Sequence, residues 1–279
     1  MTATKILCDT AGMDRRTWLA ARAHGPDGSI PITIGGSDVA AVFGISPWKT
    51  PLDLWLEKAG KLIPDESENM WQKEMGHLLE PLVARIFAKK TGLEVFQIKK
   101  MFQHPQYPFM LADVDYFVRL PNGEIAILEI KTTNYNAKDH WWKDGEECVP
   151  VYYETQGRHY MTVMDIDEIF YCCLYGNNED EVIIRHLYRD REYEQEMIYL
   201  EREFWHDHIL TRIPPPYTED GSLILESLRR KLGPADKDAP PVLLGQTQFG
   251  QLSMLLSLQE QKKTLSADVN KLEKDIKRL

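Results

Sequence analysis

The stretch Ala112–Thr133 reads ADVDYFVRLPNGEIAILEIKTT, and its alternating side chains predict two short β-strands joined by a turn. The segment Pro121-Asn122-Gly123 is typical of such a turn, because Gly123 can adopt the left-handed backbone conformation without steric cost. If those three residues form the loop, Leu120 pairs with Glu124 across the hairpin. A two-residue Asn-Gly loop is the alternative, and it would shift the pairing by one residue.

The three-residue loop gathers three charged side chains on one face of the hairpin. It places Asp115 opposite Glu129, with Lys131 two residues further along the same face. The shorter loop would move Asp115 to the other face, because a shift of one residue reverses the side of the sheet on which a side chain lies. We therefore predict the three-residue loop.

These charges lie at the end of otherwise apolar strands, where an unpaired charge is costly. A salt bridge on a solvated face is the ordinary interpretation of Glu-x-Lys, but the apolar neighbours Leu128 and Ile130 favour a cation site. Asp115 and Glu129 are expected to bind Mg²⁺ or Mn²⁺, with the Ile130 backbone carbonyl and waters as further ligands. Lys131 is then expected to orient or help deprotonate a metal-bound water that attacks phosphorus.

The composition is that of a soluble globular protein with 279 residues, 43% hydrophobic and 27% charged. This length leaves room for one large domain and an extension. No apolar run approaches the roughly 20 residues of a membrane-spanning helix, and the N-terminus lacks the apolar core of a signal peptide. We expect a cytoplasmic protein that does not enter a membrane.

The net charge and the cysteine content further narrow the class of protein. The net charge of −10 argues against a general nucleic-acid coating protein, although a local basic channel can coexist with an acidic exterior. Of the four cysteines, two are adjacent in an apolar strand pattern, and no CxxC spacing supports a metal cluster. We expect reduced cysteines, as in the cytoplasm. They are Cys8, Cys148, Cys172 and Cys173.

The N-terminal region predicts two helices separated by a glycine-rich turn. The first passes through Arg22 and breaks at Gly25-Pro26. The second begins near Ser37, whose hydroxyl suits an N-cap. Gly35-Gly36 just before it would present free amides, which predicts either a phosphate seat or an ordinary tight turn.

A long helix is predicted over Ser67–Thr91. Glu80 lies on a stripe of small residues, next to Pro81, which should kink the helix. At such a kink, Glu80 can approach the sheet rather than face solvent. The apolar stripe expected to be buried comprises Trp71, Met75, Leu78, Leu79, Leu82, Val83, Ile86 and Phe87.

Six separated motifs together resemble the YqaJ viral recombinase family, which is similar to lambda exonuclease. The resemblance covers about residues 14–216. The motifs are IGGSDVAAVFGISPWKTPLDLWLEKAGK, GHLLEPLVARIFAKKTG, FMLADVDYFV, LEIKTT, YYETQGRHYMTV and EFWHDHI.

The resemblance implies a PD-(D/E)xK restriction-endonuclease-like core of the α/β class, with a mixed central sheet flanked by helices. It also implies a bacterial or phage-encoded, Mg²⁺-dependent exonuclease of phage-type recombination. Such an enzyme degrades one strand of linear duplex DNA, usually with 5′→3′ polarity.

The resemblance also assigns roles to individual residues. Glu80 is implied to reach the metals beside Asp115 and Glu129. A helix carrying Gln156 and Tyr160 one turn apart is implied to pack over the site and contact DNA near the scissile phosphate.

Arg22 and Ser37 match the residues that seat the 5′-phosphate in the family. Asp113 departs from the family pattern, because it stands where a serine helps to seat that phosphate. A carboxylate there would repel the phosphate unless Asp113 is itself a metal ligand. The expected 5′-phosphate preference and strand polarity depend on this position.

Trp141 and Trp142 lie in a predicted loop after the hairpin. Paired tryptophans can stack on or wedge between DNA bases, or they can anchor the loop in the core. The sequence leaves both interpretations open.

The domain organisation follows from prolines and periodicity. Residues 1–216 are the predicted nuclease domain, which ends at Ile213-Pro214-Pro215-Pro216. Residues 217–246 are the predicted linker, and residues 247–279 form a helix with a heptad seam. This helix could pair with another subunit, bind a partner or fold back on the core.

The leading functional hypothesis is the DNA exonuclease described above. The alternatives are an endonuclease, nickase or single-strand DNA nuclease of the same fold, and an inactive DNA-binding assembly module. Expected partners are DNA, a single-strand annealing protein and further copies of the chain. The family resemblance favours a ring-shaped trimer.

Overall fold

A computed structural model describes residues 4–30, 32–62, 70–217, 223–224 and 243–276. Its strands are β1 (Lys5–Asp9), β2 (Ile34–Gly35), β3 (Glu94–Phe96), β4 (Lys100–Gln103), β5 (Met110–Ala112), β6 (Tyr116–Arg119), β7 (Ile125–Thr132), β8 (Trp142–Lys143), β9 (Glu146–Glu147), β10 (Glu168–Leu174) and β11 (Val182–Tyr188). Its helices are α1 (Arg15–His24), α2 (Gly36–Val42), α3 (Pro51–Lys58), α4 (Met70–Thr91), α5 (Val151–Met164), α6 (Arg191–Phe204) and α7 (Gln246–Ile276). A 3₁₀ helix covers Lys138–Trp141, and a π-helical segment covers Trp205–Leu210.

The hairpin of β6 and β7 has the predicted register. Tyr116 pairs with Leu128, and the Leu120 N–H donates to the Glu124 carbonyl at 2.9 Å. Gly123 closes the loop with a φ of 88°, a conformation that favours glycine. The three-residue loop is therefore confirmed, and its register aligns Asp115 with Glu129.

The hairpin belongs to a five-stranded mixed sheet of order β11-β10-β7-β6-β3. Strand β7 is central and pairs in parallel with β10 and antiparallel with β6. Residues of α4 pack on the face of Leu128, whereas residues of α5 pack on the face of Ile127. Because side chains alternate along β7, Glu129 lies on the α5 face. The predicted mixed sheet flanked by helices is confirmed.

A second sheet of order β1-β4-β5-β2 borders the same region. Strand β5 pairs in parallel with β2 and antiparallel with β4. The chain leaves β5 directly toward Asp113 and Asp115, and it leaves β2 directly into α2. This sheet therefore brings the start of α2 to the end of the central sheet.

Helix α1 ends at Gly25 as predicted, but α2 begins one residue earlier than expected. Ser37 is not its N-cap. The Asp38 carboxylate accepts the Gly35 N–H at 3.1 Å, which satisfies the first turn without a serine cap. The Ser37 hydroxyl instead accepts a hydrogen bond from the Arg22 guanidinium.

Of the eight side chains in the predicted buried stripe of α4, two are buried, two are half-buried and four are exposed. Val83 and Phe87 pack against the sheet, together with Ala84. With about 100° per residue, the remaining apolar positions lie on the side turned away from the sheet. This prediction was wrong for four exposed side chains: Trp71, Met75, Leu78 and Leu82.

The chain divides into two compact units, Met1–Gly233 and Pro234–Leu279. Within the second unit, α7 spans 31 residues and leaves its apolar side chains exposed. Most of the predicted linker at residues 217–246 lies outside the described residues. The four cysteines are free, as predicted. No helix in the described ranges is long and apolar enough to cross a membrane.

Candidate active site

A cavity of about 420 Å³ lies where the hairpin, α4 and α5 meet. It brings together predicted site residues that lie up to 138 positions apart in sequence. Those lining it are Arg22, Ser37, Glu80, Asp113, Asp115, Glu129, Ile130, Lys131, Gln156 and Tyr160.

 These ten residues of the predicted site therefore lie around one cavity.

Asp115 lies just before β6, and its carboxylate accepts the Ile130 backbone N–H at 2.9 Å. This contact ties the carboxylate to β7. Desolvation raises the pKa of Asp115, and Lys131 lowers it by less. The hairpin register therefore places a half-buried carboxyl group at the cavity.

Glu129 and Lys131 form an ion pair, with the Lys131 Nζ 2.7 Å from the Glu129 Oε1. Glu129 is only 1% exposed, and its Oε2 has no hydrogen-bond partner among the described residues. Burial and the nearby Asp115 raise the pKa of Glu129 to about 8, against the opposing effect of Lys131. A bound cation would satisfy this buried carboxylate oxygen.

Gln156 on α5 bridges this ion pair. Its Oε1 accepts from the Lys131 Nζ at 3.0 Å, and its Nε2 donates to the Glu129 Oε1 at 2.6 Å. The same Nε2 also lies 3.1 Å from the Tyr160 hydroxyl. Tyr160 is 6% exposed, so the structure gives it the role of holding Gln156, and its contact with DNA stays a prediction.

Glu80 approaches the sheet as predicted and shares the cavity with the two other carboxylates. A Cβ added at Gly76, one turn earlier, would lie 3.7 Å from the Thr132 Oγ1, which shows how closely α4 passes the end of β7. The Glu80 Oε1 lies 2.9 Å from the His77 Nδ1. Burial and Asp115 raise the pKa of Glu80.

The donor set suits a hard divalent cation, because it offers carboxylate oxygens without sulfur ligands. Burial or like charge raises the pKa of all three carboxyl groups, and the free Glu129 Oε2 adds an unsatisfied acceptor. In the described ranges, no three His, Cys, Asp or Glu side chains are arranged to hold a metal ion. One Glu129 oxygen accepts from Lys131 and Gln156, and His77 lies within hydrogen-bond distance of Glu80.

Arg22, Ser37 and Asp113 meet at the other end of the cavity. The Arg22 guanidinium lies 5.2 Å above the Trp18 ring, whose indole N–H donates to Asp113. Burial raises the pKa of Asp113, although Trp18 and Arg22 both lower it. The Asp113 carboxyl group stands where the family has a serine, and the positive charge of Arg22 acts on it.

Comparison with known proteins agrees with this geometry. The family model of the YqaJ-like viral recombinase domain matches residues 17–167. The YqaJ protein of Bacillus subtilis (strain 168) is 33% identical over 276 residues, which is 98% of this chain and 80% of that protein. The chain belongs to the YqaJ-like viral recombinase family.

The fold of this YqaJ-like chain is similar to that of an alkaline exonuclease (LHK-Exo) from Laribacter hongkongensis. The two share 18% sequence identity with a TM-score of 0.53, over 78% of this chain and 97% of that one. A second structure of LHK-Exo, in complex with dAMP, matches equally well. The similarity confirms the predicted α/β fold, in which a mixed central sheet is flanked by helices.

The two tryptophans of the YqaJ-like chain have different environments. Trp141 is 1% exposed and packs against Tyr153 and Tyr171. Of the two interpretations that the sequence left open, the enclosed ring of Trp141 fits the one in which it anchors the loop in the core, and it contradicts a contact of Trp141 with DNA. Trp142 is 39% exposed, and the Arg185 guanidinium lies 4.8 Å above its ring. Its contact with DNA stays a prediction.

Sequence reasoning missed two contributors to the site. His77 could have been found, because it lies three residues before Glu80 on the same helical face. Trp18 lies four residues before Arg22, which is also a helical spacing.

Proposed function

We propose that this protein is a Mg²⁺- or Mn²⁺-dependent exonuclease that degrades one strand of linear duplex DNA in phage-type recombination. One observation carries the proposal: Glu80, Asp115 and Glu129 share a cavity with Lys131 and Gln156. Membership of a viral recombinase family and the fold shared with an alkaline exonuclease support it.

The metal would be held by Asp115 and Glu129, with Glu80, the Ile130 carbonyl and Asp113 as further candidate ligands. When bound, such an ion polarises the phosphoryl group and lowers the pKa of water. The free Glu129 Oε2 supports this assignment, because it is a buried acceptor without a partner among the described residues.

Lys131 would orient the attacking water and balance negative charge. Burial lowers its pKa, but Glu129 and Asp115 raise it more, so the group holds its proton and donates hydrogen bonds. Gln156 fixes the ammonium by accepting from it at 3.0 Å. The ammonium therefore lies in one place when the scissile phosphate arrives.

Arg22 and Ser37 would bind the phosphate at the 5′ end of the strand, which favours 5′→3′ degradation. Their side chains are hydrogen-bonded to each other and line the catalytic cavity. Asp113 lies close to this pair, because the Trp18 indole N–H donates to it and the Arg22 guanidinium lies above the Trp18 ring. As a metal ligand, Asp113 would not repel the phosphate.

Release of nucleotides from linear duplex DNA tests the proposal. The wild-type chain should degrade it with Mg²⁺ or Mn²⁺ and should be inactive with a chelator. Glu129→Gln and Lys131→Ala should each lose at least about 10²-fold in rate, because each removes a group that acts on the reacting atoms. Lys5→Ala, an exposed position on β1, is the matched control. Wild-type rates in Glu129→Gln or Lys131→Ala would exclude this mechanism.

A further inference from the structure

A second cavity of about 740 Å³ lies beside the catalytic one, between α1, the start of α2, α3 and the segment after the π-helical residues. Its volume is within the range of small-molecule binding sites, about 300–1,000 Å³. Arg22 and Ser37 line both cavities. Because the Arg22 guanidinium donates to the Ser37 hydroxyl, this pair forms the boundary between them.

We call the second cavity the basic cleft, after the five cationic side chains that line it. They are Arg22, Lys49, Lys58, Lys61 and Arg212. Its two carboxylates, Asp38 and Glu57, are already engaged, since Lys58 lies 2.8 Å from Asp38 and Lys49 lies 2.9 Å from Glu57.

Three cations of the basic cleft remain without a carboxylate. Across the described part of the chain, Arg22, Lys61 and Arg212 form no ion pair within 4.0 Å. The Lys61 Nζ lies 4.3 Å above the Trp55 ring, which holds it at the cleft. A surplus of positive charge within a chain of net charge −10 marks a place that attracts anions.

The two cavities differ in their balance of charge. Four carboxyl groups line the catalytic cavity beside Arg22, Lys99 and Lys131, whereas five cations line the basic cleft beside only two carboxylates. A polyanionic strand that reaches the Arg22–Ser37 boundary from the catalytic side therefore meets an attractive cavity beyond it.

We propose, on the basis of the proposed nuclease function, that the basic cleft binds the phosphodiester backbone of a 5′ single-stranded segment of the strand being cut. On a duplex with a 5′ overhang, Arg22 and Ser37 contact a phosphate within the strand instead of its terminal phosphate, and the strand is cleaved with its overhang held in the cleft. Hydrolysis adds one water across the bond between phosphorus and the 3′ oxygen. Hydroxide bonds to phosphorus and a proton goes to that oxygen, so the first product is an oligonucleotide with a 3′ hydroxyl.

Duplexes radiolabelled at the 5′ end, one blunt and one with a short 5′ overhang, test this proposal with Mg²⁺. The double variant Lys61→Gln/Arg212→Asn removes two cleft cations, and asparagine tolerates the positive φ of 60° at position 212. The matched control, Lys5→Gln/Lys89→Gln, removes two exposed cations from elsewhere. Thermal unfolding of each variant shows whether it is folded.

The wild type should release a labelled oligonucleotide from the overhang duplex. The cleft variant should lose rate on the overhang duplex relative to the blunt duplex, and the control should keep the wild-type ratio. Binding of the overhang duplex, measured in a Lys131→Ala background, should depend less on salt in the cleft variant. The logarithmic slope should fall by about 1.4, because each lost single-strand phosphate contact removes about 0.7.

Labelled mononucleotide as the sole wild-type product, or equal overhang-to-blunt ratios in the cleft variant and the wild type, would overturn the cleft proposal and leave the nuclease proposal standing. dAMP added as a competitor separates the strand from a released nucleotide. If dAMP inhibited the wild type but not the cleft variant, with overhang cleavage the same in both, the cleft would hold product instead. Absence of cleavage of either duplex by the wild type would refute both proposals.

Discussion

Glu129 is the side chain on which the geometry of the site depends. Its Oε1 accepts from both Lys131 and Gln156, and its Oε2 has no partner among the described residues. The amide of Gln156 therefore decides where the carboxylate and the ammonium point. A change at Gln156 disturbs both groups without removing either of them.

We predict that Gln156→Leu lowers kcat on linear duplex DNA by about 10²-fold, because Lys131 and Glu129 lose a common anchor. Steady-state kinetics measure the effect. Tyr160→Phe is the matched comparison, since it removes only the hydroxyl that contacts Gln156 at 3.1 Å and keeps the packing. A larger loss of kcat in Tyr160→Phe than in Gln156→Leu would contradict the greater importance of Gln156.

His159 and Glu201 form a second ionisable pair, which is buried and lies apart from the catalytic carboxylates. The His159 Nδ1 is 2.9 Å from the Glu201 Oε1, and its Nε2 is 2.9 Å from the Leu111 carbonyl. Both neighbours are acceptors, so the doubly protonated ring suits the site. Burial lowers the pKa of His159, but Glu201 and the carbonyl raise it more, above 6.5 overall.

A raised folded-state pKa means that the protonated ring stabilises the fold most below about pH 6.5 and that this contribution is lost as the pH rises through the folded pKa. We predict that His159→Gln costs about 3–5 kcal/mol at pH 6, since it leaves Glu201 buried without its partner, and costs less at pH 9. Urea unfolding at both pH values measures this. His186→Gln, which breaks a half-exposed pair with Glu168, should cost under about 1 kcal/mol. A cost for His159→Gln that grows with pH would contradict the assignment.

At the scale of elements, helices α4 and α5 sandwich the central sheet and each carries a glycine near it. A Cβ added at Gly157 on α5 would lie 1.9 Å from the Tyr171 Oη and 2.6 Å from the Ile169 Cδ1. Both partners are buried strand residues with no room to move. At Gly76 on α4 the nearest contact would be an ordinary 3.7 Å. Gly157 therefore sets the distance between α5 and the sheet.

We predict that Gly157→Ala destabilises the fold by about 1–3 kcal/mol, because the extra methyl group overpacks the interface. Gly76→Ala should stabilise it by up to about 1 kcal/mol, because alanine loses less conformational freedom in a helix. Thermal and urea unfolding of the two variants measure the difference. Equal stability of the two variants would show that α5 can shift away from the sheet.

At the scale of the whole molecule, the surfaces of the chain bear on how its copies assemble. A ring around DNA needs complementary, head-to-tail surfaces on the nuclease unit. The exposed apolar side of α4 and the exposed seam of α7 are both unusual for an isolated monomer. An isolated coiled coil of 31 residues interrupted by Lys262 would be a weak basis for assembly.

We predict that the nuclease unit forms the oligomer, a trimer, and that α7 does not drive it. Light scattering should give three copies both for the whole chain and for a chain ending at Gly233, where the first compact unit ends. A shortened chain that is monomeric beside an oligomeric whole chain would assign assembly to α7.

The sequence by itself determined the features that depend on short-range chemistry. The turn at Pro121-Asn122-Gly123 selects the hairpin register, because only glycine accepts the φ of 88° at low cost. That register and the alternation of side chains place Asp115, Glu129 and Lys131 together. The end of α1 at Gly25 likewise follows from a local signal, the Gly25-Pro26 pair that cannot continue a helix.

Tertiary structure decided which faces are covered. The apolar periodicity of α4 cannot tell which side meets the sheet, so Trp71 is exposed whereas Phe87 is buried. Trp141 is enclosed because Tyr153 and Tyr171 arrive from other elements. The basic cleft likewise forms only where separate helices converge. Its lining residues are distant in sequence, so no regular spacing in the sequence predicts it.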